Sequence, residues 1–225
     1  MMVRVKICGI TSYNDAAMCV DEGAHALGFN FFPPSPRCIT PAAAWDIIRR
    51  LPPYVERIGV FVDWAPNAVS ALADALRLNG VQLHGEESPD DVEELSAKYS
   101  VVKALPVKQD FRPASIQQYR AARAILLERF HPELHGGTGE PWDWSRAREA
   151  GKYARIVLAG GLAPENVAQA IRVAQPYAVD VATRVERLVG KKDPQLVREF
   201  MRAVATAEAA VQGGSAPKAA AREAS

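Results

Sequence analysis

Short apolar runs and helical segments alternate eight times along this 225-residue chain. Runs rich in Val, Ile, Leu and Phe occupy residues 3–8, 26–31, 57–62, 80–83, 101–107, 124–127, 155–159 and 178–181. Their nearly continuous apolar character suits parallel strands covered on both faces, not strands with one wet face. Helical periodicity marks residues 14–22, 41–50, 67–78, 89–99, 145–152, 164–173 and 194–205, with a weaker signal over 115–122. Thr40-Pro41, Ser88-Pro89 and Asp193-Pro194 each set a capping side chain before a proline, whose missing N–H costs nothing in a first helical turn. Eight strand-then-helix units in about two hundred residues fit an α/β fold of one domain, a (β/α)8 TIM barrel, whose closed sheet has no edge to protect. An open doubly wound sheet is the alternative. The barrel is expected over residues 1–210. Residues 211–225 carry too few large apolar side chains to bury and are expected to form a disordered tail.

Composition narrows the functions such a barrel can have. Lys and Arg number 27 against 26 Asp and Glu, a formal charge of +1, which gives no electrostatic footprint for nucleic acid or an anionic membrane. An anionic partner must therefore be held by a local site. No apolar stretch approaches the ~20 residues of a membrane helix and no apolar signal region opens the chain, so the cytoplasm is the expected compartment. Cys8, Cys19 and Cys38 form no CxxC pair and none of the spacings of structural zinc.

In barrels of this kind the site is built from the loops that follow the strands, with phosphate held after the seventh and eighth. Gly160-Gly161 follows the seventh run and leads toward a helix, while Gly136-Gly137-Thr138-Gly139 follows the sixth. Such glycines either make tight turns or let backbone amides approach an anion. Cys8, at the end of the first run, is either a small core filler or a reactive thiol. Arg37 can clamp a carboxylate through its planar fork or lie on the surface. His84 can carry a proton or bind a ligand, or it can pack at the rim. Glu128 ends the sixth run at an apolar mouth, where desolvation favours the protonated form and suits a general acid. An ion pair with Arg129 or Lys6 is the plainer reading of that carboxyl.

Lys6-Ile7-Cys8-Gly9-Ile10-Thr11, Gly28-Phe29-Asn30-Phe31 through Ser35-Pro36-Arg37, and Val81-Gln82-Leu83-His84-Gly85 resemble the signatures of the phosphoribosylanthranilate isomerase family. Gly136-Gly137-Thr138-Gly139 with Asp143-Trp144, then Ala159-Gly160-Gly161-Leu162-Ala163-Pro164-Glu165-Asn166-Val167, match it in kind and order. The resemblance spans residues 3–204. It implies an isomerase of tryptophan biosynthesis acting by an Amadori rearrangement on a phosphorylated small molecule, without metal or organic cofactor, as a monomer or homodimer. It makes Cys8 the general base, with Lys6 near enough to steady a thiolate. It puts Arg37 on the substrate carboxylate and gives the phosphate to Gly136, Gly137, Gly160 and Gly161; His84 is expected in the substrate site beside them.

The chain departs from the family pattern twice. Glu128 stands where the family carries an aspartate as general acid, which lengthens the reach by a methylene. After the eighth run, Ala182-Thr183-Arg184-Val185 replaces a serine-rich turn containing glycine. Arg184 turned inward would add a charge-assisted contact to phosphate; turned outward, it would leave a backbone suited to glycine. The departures keep two alternatives in view, a sugar-phosphate isomerase or epimerase with a drifted substrate and a non-catalytic ligand-binding barrel.

Overall fold

The computed structural model describes residues 2–129 and 142–213. Its eight main strands follow chain order: β1 (Arg4–Cys8), β2 (Ala26–Asn30), β3 (Glu56–Phe61), β4 (Gly80–Leu83), β5 (Ser100–Val107), β6 (Ala124–Arg129), β7 (Ile156–Leu158) and β8 (Ala178–Val181). Each pairs in parallel with the next, and β1 also pairs with β8, Val5 opposite Val179, so the sheet closes on itself. Closure excludes the open sheet. Glu128 lies within β6 instead of just beyond it, since the pairing with β5 extends to Val107 opposite Arg129.

The outer layer comprises α1 (Tyr13–Asp21), α2 (Pro41–Ile48), α3 (Pro66–Ala75), α4 (Pro89–Ser96), α5 (Ser145–Ala150), α6 (Val167–Ala174) and α7 (Pro194–Gly213). The expected caps are made. Thr40 Oγ1 accepts from Ala43 N, and Asp193 Oδ1 accepts from Gln195 N at 2.8 Å. Ser88 and Asp91 close a reciprocal capping box at the start of α4. Between β5 and β6 the weak helical signal resolves as a 3-10 helix, Pro113–Tyr119, in which Ile116 is the one buried residue. A single apolar anchor does not hold the stripe that an α-helix lays on a sheet.

Two further differences lie near the C-terminus. An antiparallel hairpin, β9 (Glu186–Leu188) and β10 (Lys191–Lys192), follows β8, outside the eight apolar runs read from the sequence. α7 continues through Gly213, so residues 211–213, assigned to the tail, are helical, and the rest of the tail lies outside the described residues. No helix among the described residues is long and apolar enough to cross a membrane.

Apolar side chains sort by strand alternation. Outward positions such as Val5, Ile7, Leu27, Phe29, Val81 and Leu83 join the helices in the larger core. Inward positions Ala104, Ala124, Leu126, Val157, Ala159 and Ala178 fill the barrel interior. Many of these are alanines. Small interior residues leave room above them, at the C-terminal ends of the strands.

Candidate active site

That room is a cavity of about 420 Å³. Its strand-borne walls repeat every second residue, as the pleat requires: Val60 and Val62, Gln82 and His84, Asp180 and Ala182. Seven of the residues singled out from sequence line it, namely Cys8, Arg37, His84, Glu128, Gly160, Gly161 and Arg184. Lys6 lies one inward step below Cys8. Gly136 and Gly137 fall outside the described residues.

Cys8 is set by its strand neighbours. It pairs in register with Gly28 on β2, and Lys6 pairs with Asp180 on β8. Lys6 Nζ donates to Asp180 Oδ1 at 2.9 Å, with both side chains almost fully buried. Burial opposes the charge on Lys6, but Asp180 and Cys8 prevail and raise its pKa. Burial also pushes the Cys8 thiol up, and Asp180 adds to the rise, against the opposing pull of Lys6 and Lys192. Lys6 thus favours a thiolate without making it the resting form.

His84 and Glu128 meet directly, Nε2 to Oε1 at 2.5 Å, with side chains only 18% and 13% exposed. The rim-packing reading of His84 therefore gives way to a paired imidazole. Glu128 finds His84 as its partner, while Lys6 is engaged with Asp180. The turn carrying His84 is braced from below: Lys103 Nζ donates to Gly85 O at 2.7 Å and to Glu87 Oε2 at 2.9 Å. Glu87 Oε1 in turn accepts from Asp63 N and Gly85 N.

Arg37 turns its fork on the protein itself. Nε and Nη2 bind Glu186 at 2.9 and 2.7 Å, and Nη2 also reaches Thr183 Oγ1. Lys192 Nζ, wholly buried, lies 2.8 Å from the same carboxylate. Two cations on one carboxylate leave an excess positive charge at the cavity wall, a fixed attraction for an anion. Burial raises the Glu186 pKa, but Arg37 and Lys192 outweigh it and hold the carboxyl below its ordinary value.

The glycine loop after β7 has the conformation its composition suggests. Gly160 and Gly161 have φ of 77° and 75°, in the left-handed region that favours glycine. Asn166 braces it, donating to Gly161 O at 2.8 Å and accepting from Ala163 N at 2.9 Å. That bracing postpones α6 to Val167, three residues past the expected start at Pro164. Arg184 points outward to Glu165 at 2.8 Å, both side chains being half exposed or more. It needs no glycine-like backbone, because Thr183–Val185 forms a 3-10 turn and Arg184 is not among the residues of positive φ.

Sequence reasoning missed Gln82, Asp180, Glu186 and Lys192. Gln82 and Asp180 carried a legible signal, a polar residue inside an apolar strand in phase with a rim residue. Glu186 and Lys192 carried none, since they come together only through the hairpin.

Fold and mouth together define the class, a single-domain (β/α)8-barrel enzyme with its polar groups at the C-terminal ends of the strands. Residues 5–203 match the family model described as N-(5'phosphoribosyl)anthranilate (PRA) isomerase. A relative from Geobacter sp. (strain M21), named N-(5'-phosphoribosyl)anthranilate isomerase, is 50% identical over 200 residues, covering 89% of this chain and 97% of its own. The phosphoribosyl anthranilate isomerase structure from Thermotoga maritima superposes with a TM-score of 0.86 at 42% identity, over 91% of this chain and 100% of that one. A structure of the enzyme in complex with reduced 1-(o-carboxyphenylamino)-1-deoxyribulose 5-phosphate gives 0.82 at 41% identity, with the same coverage. The chain belongs to the phosphoribosylanthranilate isomerase family.

Proposed function

We propose that the protein converts N-(5-phosphoribosyl)anthranilate to 1-(2-carboxyphenylamino)-1-deoxyribulose 5-phosphate in tryptophan biosynthesis. The observation that carries this reading is the sharing of one cavity by Cys8 and Glu128, with the Gly160-Gly161 loop on the same rim. An Amadori rearrangement needs a proton donor and a proton acceptor at separate atoms of one sugar, each contributing roughly 10²- to 10⁴-fold.

Glu128 gives its proton to the ribose ring oxygen as the C–O bond breaks, and the nitrogen lone pair forms the C=N bond of a Schiff base. Cys8, as thiolate, then takes the proton from the adjacent ribose carbon. The electron pair of that C–H bond neutralises the iminium, giving an enolamine that tautomerises to the ketose. Lys6 supports the thiolate electrostatically. The positive excess on Arg37, Glu186 and Lys192 attracts the anthranilate carboxylate, and the glycine loop takes the phosphate.

The test supplies substrate made in situ from anthranilate and phosphoribosyl pyrophosphate and follows the decay of its fluorescence. Wild type is expected to turn over, and Glu128→Gln to lose at least about 100-fold in kcat with little change in KM. A fully active Glu128→Gln removes Glu128 as the acid. Failure of the wild type, or of complementation in a tryptophan auxotroph, favours the drifted-substrate reading that the glutamate and Arg184 suggest.

A further inference from the structure

Gln82, His84 and Glu128 form a chain of hydrogen bonds rising from the barrel interior to its mouth. Gln82 Nε2 lies 2.8 Å from His84 Nδ1, and His84 Nε2 lies 2.5 Å from Glu128 Oε1. Gln82 is 1% exposed, and its Oε1 has no hydrogen-bond partner among the described residues. A buried, orphaned carbonyl is destabilising, and an apolar side chain of the same length would avoid it. The carboxamide therefore answers to something other than packing.

Which imidazole nitrogen carries the hydrogen is set by the bond that the other nitrogen makes. When Gln82 donates to Nδ1, that nitrogen is bare, Nε2 carries the hydrogen, and Glu128 accepts it as a carboxylate. A half-turn of the carboxamide presents Oε1 to Nδ1 instead. Nδ1 then carries a hydrogen, and the bond between Nε2 and Glu128 still needs its one proton, held by the carboxyl or by the imidazole, so the pair as a whole holds one proton more than in the first orientation. The two ends of a carboxamide have nearly the same shape, so the half-turn needs no repacking.

We propose that Gln82 is a positioning residue for the proton donor: the orientation of its carboxamide fixes the tautomer of His84, and so whether the His84–Glu128 pair holds the proton that ring opening consumes. This rests on Glu128 being the acid. Once that proton has moved to the ring oxygen, Glu128 is a carboxylate and the pair has the proton count of the first orientation, one hydrogen on the imidazole and none on the carboxyl. The orphaned Oε1 is then the resting position of an acceptor used in the other half of the cycle.

Nitrogen-15 spectra of histidine-labelled protein read the tautomer directly, with His84 assigned by its absence from His84→Asn. Gln82→Met keeps the length and removes both donor and acceptor. It is expected to change the His84 tautomer ratio and to lower kcat about 10- to 100-fold with KM within about threefold. Gln82→Glu offers Nδ1 only acceptor oxygens while ionised, and is expected to show an Nδ1–H imidazole and more activity than Gln82→Met. An unchanged tautomer ratio in Gln82→Met, or kcat within about twofold of wild type, overturns the proposal. Should Gln82→Met fail to fold, a bare Nδ1 in Gln82→Glu overturns it equally. A wild type without turnover strikes the isomerase reading, whereas an unmoved tautomer beside an active wild type strikes this proposal alone.

Discussion

The sulfur of Cys8 occupies the space that a side chain at Gly28 would need: a Cβ built there stands 2.6 Å from Cys8 Sγ and 3.1 Å from Lys6 Cε. The glycine is a consequence of register, since β1 and β2 pair these two residues side by side. Gly28→Ala is accordingly expected to displace the thiol without changing the chemistry available to it. A misplacement of about 1 Å can reduce turnover about 100-fold. Steady-state kinetics should show that loss in kcat, and thermal melting should show an overpacking cost of about 1–3 kcal/mol. A variant with normal kcat would remove Cys8 from the reaction.

Cys8 should also impose a rising alkaline limb on kcat/KM. Its pKa is raised by burial first and by Asp180 next, against Lys6 and Lys192. The thiolate fraction therefore grows as pH rises, through a pKa above the ordinary thiol value of about 8.5. Asp180→Asn removes the neighbouring negative charge and releases Lys6 to act on the sulfur alone, so the limb is expected to move to lower pH. Thiolate absorbance measured over the same range should shift in parallel.

The barrel was readable because its strands are buried on both faces and so appear as continuous apolar runs, residues 80–83 and 178–181 included. The same runs carry one inward polar residue each, Gln82 in one and Asp180 in the other, legible as a polar break in an apolar strand but passed over when a run is weighed for burial alone. The hairpin was hidden for a different reason. Glu186-Arg187-Leu188-Val189-Gly190-Lys191-Lys192 has the composition of a solvated turn, yet Lys192 is wholly buried because Glu186 and Ala182 O accept its hydrogens. Only the tertiary pairing makes that burial tolerable. The pairing of His84 with Glu128 was equally inaccessible, as it spans two strands that are not neighbours.

Arg184 stands beside the cavity with its guanidinium turned away from it, not as an anion clamp. Its guanidinium sits on Glu165 at 2.8 Å, and exposed pairs of this kind contribute about 0–1 kcal/mol. Arg184→Ala is thus expected to leave KM within about threefold of wild type and to leave stability nearly unchanged. A tenfold rise in KM, on the order of 1.4 kcal/mol, would show instead that Arg184 leaves Glu165 for the phosphate.

Glu186 ties acid stability to the geometry of the mouth. Its side chain is 3% exposed and carries two cations, Arg37 at 2.7 Å and Lys192 at 2.8 Å. Burial raises its pKa, but the two cations outweigh burial, so the folded value lies below the unfolded one. The folded state then binds fewer protons than the unfolded state between those two values, and stability rises with pH there. This contribution is fully present above the unfolded carboxyl value of about 4.3 and is lost as pH falls through the folded one. Glu186→Gln removes the pairing at every pH and strands the buried Lys192 beside a half-buried Arg37, which costs about 3–5 kcal/mol near neutrality. Denaturant titrations should therefore show a large loss at pH 7 that shrinks toward acid, with a flatter acid limb than wild type. Because Glu186 also holds the fork of Arg37, KM should rise in the same variant. A variant with wild-type stability across the whole range would mean that the two cations find equal compensation elsewhere, and the carboxylate would lose its place as the support of this wall.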